Sequence, residues 1–174
     1  MSLDEFFALD VVLAELVDGQ PIFMSSPGLR HQRVVRRLGR ALEDAAPQGF
    51  ELLAAPMDWV LWQLPHATVR QPDLLVIRYE PGDRPRVTEP PLLVVEVVSP
   101  SSQERDLVSK RRDYARAGCE HYWIVEPEAP LVLCLRRRDA EGYDEVARLE
   151  AGSHTQLNEP FPITVDLADL VRDA

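Results

Sequence analysis

Three side chains in this 174-residue sequence ask for a chemical explanation: Glu96, Asp73 and Lys110. Glu96 interrupts the apolar run Leu92-Leu93-Val94-Val95-Glu96-Val97-Val98. An ionised carboxylate there costs several kcal/mol to bury without a partner. Asp73 follows Pro72 and opens a second apolar stretch, Leu74-Leu75-Val76-Ile77. Lys110 is the one lysine in a chain whose other basic residues are all arginine, which is either chance or a position that wants a point-charge amine. Two converging carboxylates can hold Mg²⁺, while a nearby ammonium orients or deprotonates water and neutralises charge growing on a phosphate. As a set, the three residues have the makings of a phosphodiesterase site.

Each residue taken alone has a plainer reading. Glu96 could bond to an arginine such as Arg70 or Arg111 at a strand end, and Asp73 could be a turn or cap aspartate. Lys110 could form a surface ion pair with Asp106, four residues earlier on the same helix, worth a few tenths of a kcal/mol.

The elements that must carry these groups follow from the pattern of apolar residues. The run 92–98 is apolar on both faces, which suits a strand in the middle of a sheet covered on both sides. Ser101 and Glu104 form a capping box for a helix that runs to about Ala117 and stops at Gly118. If that helix folds back along the sheet, it returns Lys110 toward Glu96, fourteen residues earlier in the chain. Lys110 flanks the stripe of Leu107, Val108, Tyr114 and Ala115, and Arg111 lies nearer its centre and competes for the same role.

Elsewhere the spacing predicts a short helix over 3–9, a hairpin of 11–17 and 21–24 about Asp18-Gly19, and an amphipathic helix over 27–46. Extended stretches are expected at 50–55, 58–64, 73–78, 122–125, 131–137 and 143–149. Loops are expected at 65–72 and 81–91, and a short helix at 167–171. The sum is a mixed α/β architecture, expected as one domain over residues 1–174.

The net charge of −10 argues against a chain that coats nucleic acid by overall attraction. The distribution is uneven, however. Residues 25–125 carry a net +1, against −5 in 1–24 and −6 in 126–174, so a polyanion would approach the middle of the chain. Arg30, Arg33, Arg36, Arg37 and Arg40 recur along one predicted helix and either grip phosphates or form a solvated face. Two cysteines, no signal-like N-terminus and no apolar run near ~20 residues lead us to expect a cytoplasmic protein with no membrane span.

Asp18-Gly19, His31, Pro72-Asp73, the segment Glu96-Val97-Val98-Ser99-Pro100-Ser101-Ser102, then Asp106, Lys110, Tyr114 and Tyr122-Trp123-Ile124-Val125 resemble the Uma-two family of restriction endonucleases, within the PD-(D/E)XK nuclease superfamily. The resemblance covers residues 11–150. It implies a restriction-endonuclease-like mixed β-sheet core flanked by helices and a metal-dependent endonuclease that cuts DNA to a 5′-phosphate and a 3′-hydroxyl. Asp73 and Glu96 would be the ligands of Mg²⁺, with Mn²⁺ as a substitute, and the Val97 carbonyl a further ligand.

The superfamily pattern asks for lysine two residues after the acid, on the same strand face. Here that residue is Val98, and the resemblance implies that Lys110 has taken over from the following helix. His31, Arg30 and Arg111 are candidate substrate contacts, and a homodimer would bring two sites to two strands. The alternative reading is an inactive nuclease-fold binding module, which the acidic charge and the missing lysine favour. Hydrolysis of RNA or a nucleotide is a third.

Overall fold

The structure, a computed structural model, describes residues 1–9, 11–98 and 104–172, and the side chains of all of these except 104–106. After α1 (Leu3–Phe7), strands β1 (Ala14–Val17) and β2 (Gln20–Phe23) form a hairpin. Asp18 and Gly19 adopt φ of 50° and 76° between them, as a two-residue turn of this hand requires. Helix α2 (Leu29–Ala45) buries Val34, Leu38 and Leu42 on one face, as its spacing predicts. Strands β3 (Phe50–Ala54), β4 (Trp59–Trp62), β5 (Thr68–Arg70), β6 (Leu74–Arg78) and β7 (Leu93–Val97) follow. Next come α3 (Glu104–Ala117), β8 (His121–Glu126), β9 (Leu131–Arg137), β10 (Tyr143–Glu150), β11 (His154–Leu157), β12 (Ile163–Asp166) and α4 (Leu167–Val171).

The main sheet has the order β10-β9-β8-β7-β6-β3, so the strand that carries Glu96 is central and every residue of it is buried. Strands β7 and β8 are parallel while the other pairs of this sheet are antiparallel. A parallel pair needs a crossover connection, and α3 is that crossover. This is the physical reason the helix returns along the sheet. Gly118, at φ 91°, ends α3 in the left-handed conformation expected beyond a helix C-terminus.

One face of the main sheet packs Val76, Leu93, Val95 and Trp123 against α2, α4 and the β11–β12 pair. The other packs Leu75, Val94, Tyr122 and Ile124 against Tyr114 and Ala115 of α3 and Trp59 of β4. A smaller antiparallel sheet, β2-β1-β5-β4, is packed by α1 through Phe6.

Two expectations are corrected. The segment 65–72 is not simply a loop, since β5 lies within it and joins β1 to β4. Three residues bounded by Pro65 and Pro72 are too few to register as a strand; non-local pairing makes the strand. The β11–β12 pair was not anticipated either, because its alternation is short and its apolar partners, Leu157, Ile163 and Val165, complete a core that α2 supplies from far away in sequence. The Ser101–Glu104 capping box and the Asp106–Lys110 pair lie outside the described residues and side chains.

Candidate active site

Strands β6 and β7 run antiparallel with Leu74 opposite Val95. Continuing that register by one residue sets Asp73 beside Glu96, and directly opposed residues project to the same face of a sheet. Both carboxylates line a cleft of about 460 Å³, walled by the segment 24–28 after the hairpin, by the N-terminus of α2 with His31, and by Leu107 and Lys110 of α3. Asp73 is oriented through one oxygen. Its Oδ2 accepts the Val97 N–H at 2.8 Å and lies 3.2 Å from His31 Nε2.

Glu96 is 6 % exposed, and both of its oxygens are engaged. Lys110 Nζ donates to Oε2 at 3.0 Å, and the Tyr114 hydroxyl donates to Oε1 at 2.6 Å. Lys110 and Tyr114 are four residues apart on α3, hence on one helix face. The ring of Tyr114 is fixed in turn between Trp59, stacked at 5.4 Å, and Tyr122, edge-on at 5.2 Å. A carboxylate oxygen has two lone-pair directions, so each oxygen of Glu96 retains one.

Behind Lys110 lies a buried ionic layer that sequence reasoning missed. Glu15 of β1 is 3 % exposed, and its Oε1 is 3.6 Å from Lys110 Nζ. Arg70 of β5 is 1 % exposed and donates to Glu15 Oε2 at 2.7 Å, to Asp113 Oδ2 at 2.7 Å and to Ser109 Oγ at 2.9 Å. Glu15 Oε1 also accepts the Gln71 N–H at 3.1 Å, and Gln71 lines the cleft. Thus β1, β5 and α3 are tied together directly behind the lysine. The signal that could have revealed Glu15 is its position between Ala14 and Leu16, in a strand whose neighbours are all apolar.

The two glutamates respond to burial in opposite directions. For Glu96, burial is the largest influence and raises the carboxyl to about 7, with Lys110 pulling it down and Asp73 and Glu15 pushing it up. For Glu15, burial again acts to raise the carboxyl, but Lys110 and Arg70 together with hydrogen bonds from Arg70 and Gln71 outweigh it and leave it lowered. Burial acts to lower His31, yet the Asp73 hydrogen bond and the nearby charges of Asp73 and Glu96 outweigh it, and its pKa is raised.

The cluster fits a small hard cation. Glu15, Glu96 and Asp113 face Arg70 and Lys110 in the buried interior, a formal excess of one negative charge, and Asp73 adds a further carboxylate at the cleft that His31 balances when protonated. Asp73 Oδ1 takes no hydrogen bond among the described residues. No group of three or more His, Cys, Asp and Glu side chains among the described residues is arranged to hold a metal ion. A pair of carboxylates suits Mg²⁺, which keeps several of its waters and needs only one or two protein carboxylates.

The other candidates are dispersed. Val98, at the position where the superfamily pattern has lysine, lines the cleft that Lys110 enters from α3. His31 stands at the mouth beside Asp73. Arg30 is turned to Glu128 at 2.8 Å, and Arg111 donates to the Tyr143 carbonyl at 2.9 Å; neither lines the cleft. The arginine partner considered for Glu96 is absent, since Arg70 serves Glu15 and Asp113 instead.

The fold is mixed α/β, with a carboxylate pair and a lysine brought to one cleft of its central sheet. Residues 3–169 match the family Uma2, described as "Putative restriction endonuclease", and the chain belongs to that family. Among solved structures it is similar to a putative nuclease belonging to DUF820 from Anabaena variabilis, with TM-score 0.79, 16% sequence identity, and coverage of 98% of this chain and 97% of that one. At that identity the likeness concerns the fold. A comparison with curated proteins gives no match. No helix among the described residues is long and apolar enough to cross a membrane.

Proposed function

We propose that the protein is a metal-dependent endonuclease that hydrolyses phosphodiester bonds of DNA, with Asp73 and Glu96 as ligands of Mg²⁺ or Mn²⁺, the Val97 carbonyl as a further ligand and Lys110 as the displaced catalytic lysine. The observation that carries this reading is the arrival of Lys110 Nζ at Glu96 Oε2 from the crossover helix, in the cleft that Asp73 shares. Family membership supports it.

Bound between the two carboxylates, the metal ion would supply Lewis-acid polarisation of the phosphate and a counter-charge for the transition state. The chain's own residues do the rest. Val97 N–H and His31 hold Asp73 in one orientation, and Tyr114 and Lys110 do the same for Glu96. Fixed donors of this kind need no reorganisation when charge develops. Lys110 Nζ, held at Glu96 and close to Glu15 where α3 lines the cleft, would orient a water and meet charge growing on the phosphate. His31, favoured in its charged form by Asp73, faces the same phosphate from the cleft mouth. In-line attack by water leaves a 5′-phosphate and a 3′-hydroxyl. Two copies related by a two-fold axis would address both strands of a duplex.

The test is nicking of supercoiled plasmid by the purified protein in Mg²⁺, Mn²⁺ or EDTA, beside Asp73→Asn. Expected are nicks that require the metal and that the variant does not make. Intact plasmid under every condition would overturn the endonuclease reading and favour a binding module on a nuclease fold.

A further inference from the structure

Five arginines recur along α2, and the structure divides them by use. Arg30 pairs with Glu128, and Arg37 donates to the carbonyls of Asp169, Leu170 and Arg172 at the C-terminal end of α4. Arg33, Arg36 and Arg40 have no hydrogen bond, ion pair or aromatic ring among the described residues. Every other arginine whose side chain is described has such a partner. The three unpartnered guanidiniums are at i, i+3 and i+7, which sets them on one helix face along about 10 Å of its axis.

That face borders a groove of about 550 Å³ between α2 and β3, the edge strand of the main sheet. Its floor is apolar, made by Val35, Leu52 and Leu74, and its one acid is Glu43. The groove carries a local excess of positive charge in a chain of net charge −10. It is also continuous with the catalytic cleft, since Gln32, Val35 and Ala54 line both. Cations held beside a carboxylate would be spent within the fold. Three left unpaired, in register, on a path that ends at Asp73 and His31, match the repeating charge of a polyanion.

We propose that this groove is the track for one nucleic-acid strand, whose phosphates are gripped by Arg33, Arg36 and Arg40 while the strand leads to the cleft. The proposal rests on the nuclease reading and adds to it where the substrate lies and that the track takes a single strand. The apolar floor of Val35, Leu52 and Leu74 offers a surface for sugar and base, and the three arginines supply the charge that governs binding.

The experiment is fluorescence anisotropy of a labelled single-stranded oligodeoxynucleotide with the full chain in EDTA, where no cleavage occurs. The triple variant Arg33→Gln, Arg36→Gln, Arg40→Gln is compared with Arg136→Gln, Arg138→Gln, Arg148→Gln, an equal change of charge at exposed arginines on β9 and β10 and the loop between them, at the far edge of the sheet. Three lost phosphate contacts reduce the salt slope by about 2, so wild type loses about 20-fold more affinity than the groove variant when salt rises from 50 to 200 mM. The far-edge variant keeps the wild-type slope, as does a third variant with the groove arginines changed to lysine, which also guards against a folding defect in the first. Equal losses in both Gln variants, undiminished binding by the groove variant, or binding to duplex with none to the single strand would overturn the proposal. Binding through the groove by a protein that never cleaves in Mg²⁺ would contradict the nuclease reading alone. Cleavage unaffected by the groove substitutions would contradict the track alone.

Discussion

Lys110 Nζ donates to Glu96 Oε2 at 3.0 Å across fourteen residues of sequence, and both side chains are more than nine-tenths buried. The bond exists because β7 and β8 are parallel, which obliges the intervening helix to run back over the sheet. The crossover thus brings a lysine to the cleft that Val98 also lines, which is the arrangement the proposed role of Lys110 requires.

Removing this ammonium leaves Glu96 and Glu15 facing each other in the interior with one fewer cation. Lys110→Met is expected to lower stability by about 3–5 kcal/mol, the range for breaking a buried pair by deleting one partner. Urea denaturation with chelator present measures it. A loss below 1 kcal/mol, of the size typical of exposed pairs, would mean that the ammonium does not serve these carboxylates.

The pH dependence has a sign fixed by the two glutamates. The folded carboxyl of Glu96 is raised from 4.5 to about 7, so between these values the native state holds more protons than the unfolded chain. Stability from this group is present below pH 4.5 and is lost as pH rises through about 7. Glu15 is lowered, so its contribution is present above 4.5 and is lost as pH falls. In EDTA, Glu96→Gln should therefore flatten the decline of stability between pH 4.5 and 7, and Glu15→Gln should weaken the loss on the acid side. Unfolding free energies across that range decide it, and unchanged slopes in both variants would refute the assignment.

Tyr114→Phe keeps a ring between Trp59 and Tyr122 and deletes only the hydroxyl that donates to Glu96 at 2.6 Å. A hydrogen bond to a charged group contributes about 1.5–3 kcal/mol. The variant should lose about that much stability and, because Glu96 is then held by Lys110 alone, should cleave more slowly at saturating metal. Full activity would mean that Tyr114 serves packing only.

Metal binding has a readout independent of cleavage. A ligand that binds only the native state stabilises it by about 2.7 kcal/mol at one hundred times its Kd. Mg²⁺ or Mn²⁺ should raise the melting temperature of the wild type and leave that of Asp73→Asn unmoved. Equal shifts in both proteins would place the ion elsewhere.

The sequence made the central strand and its helix legible because their apolar content is local and continuous: 92–98 became β7 and 131–137 became β9. Lys110 was within reach of Glu96 by helix length alone, while the direction of its side chain depended on the crossover. The ionic layer behind it was not legible. Glu15 and Arg70 are buried because β1 pairs with β5 through Leu16 and Val69, a contact between segments more than fifty residues apart, and the apolar neighbours of Glu15 hint at its burial without naming its partner. His31 could be read as a helix-start residue, but its approach to Asp73 arises from the packing of α2 on the sheet.

The most direct test of the displaced lysine is single-turnover cleavage of DNA in saturating Mg²⁺ by wild type and Lys110→Gln, at a temperature where circular dichroism shows both folded. The account predicts a rate at least about 100-fold lower for the variant, the scale on which positioned proton-transfer and charge-stabilising groups act. Cleavage by Lys110→Gln at the wild-type rate would contradict it.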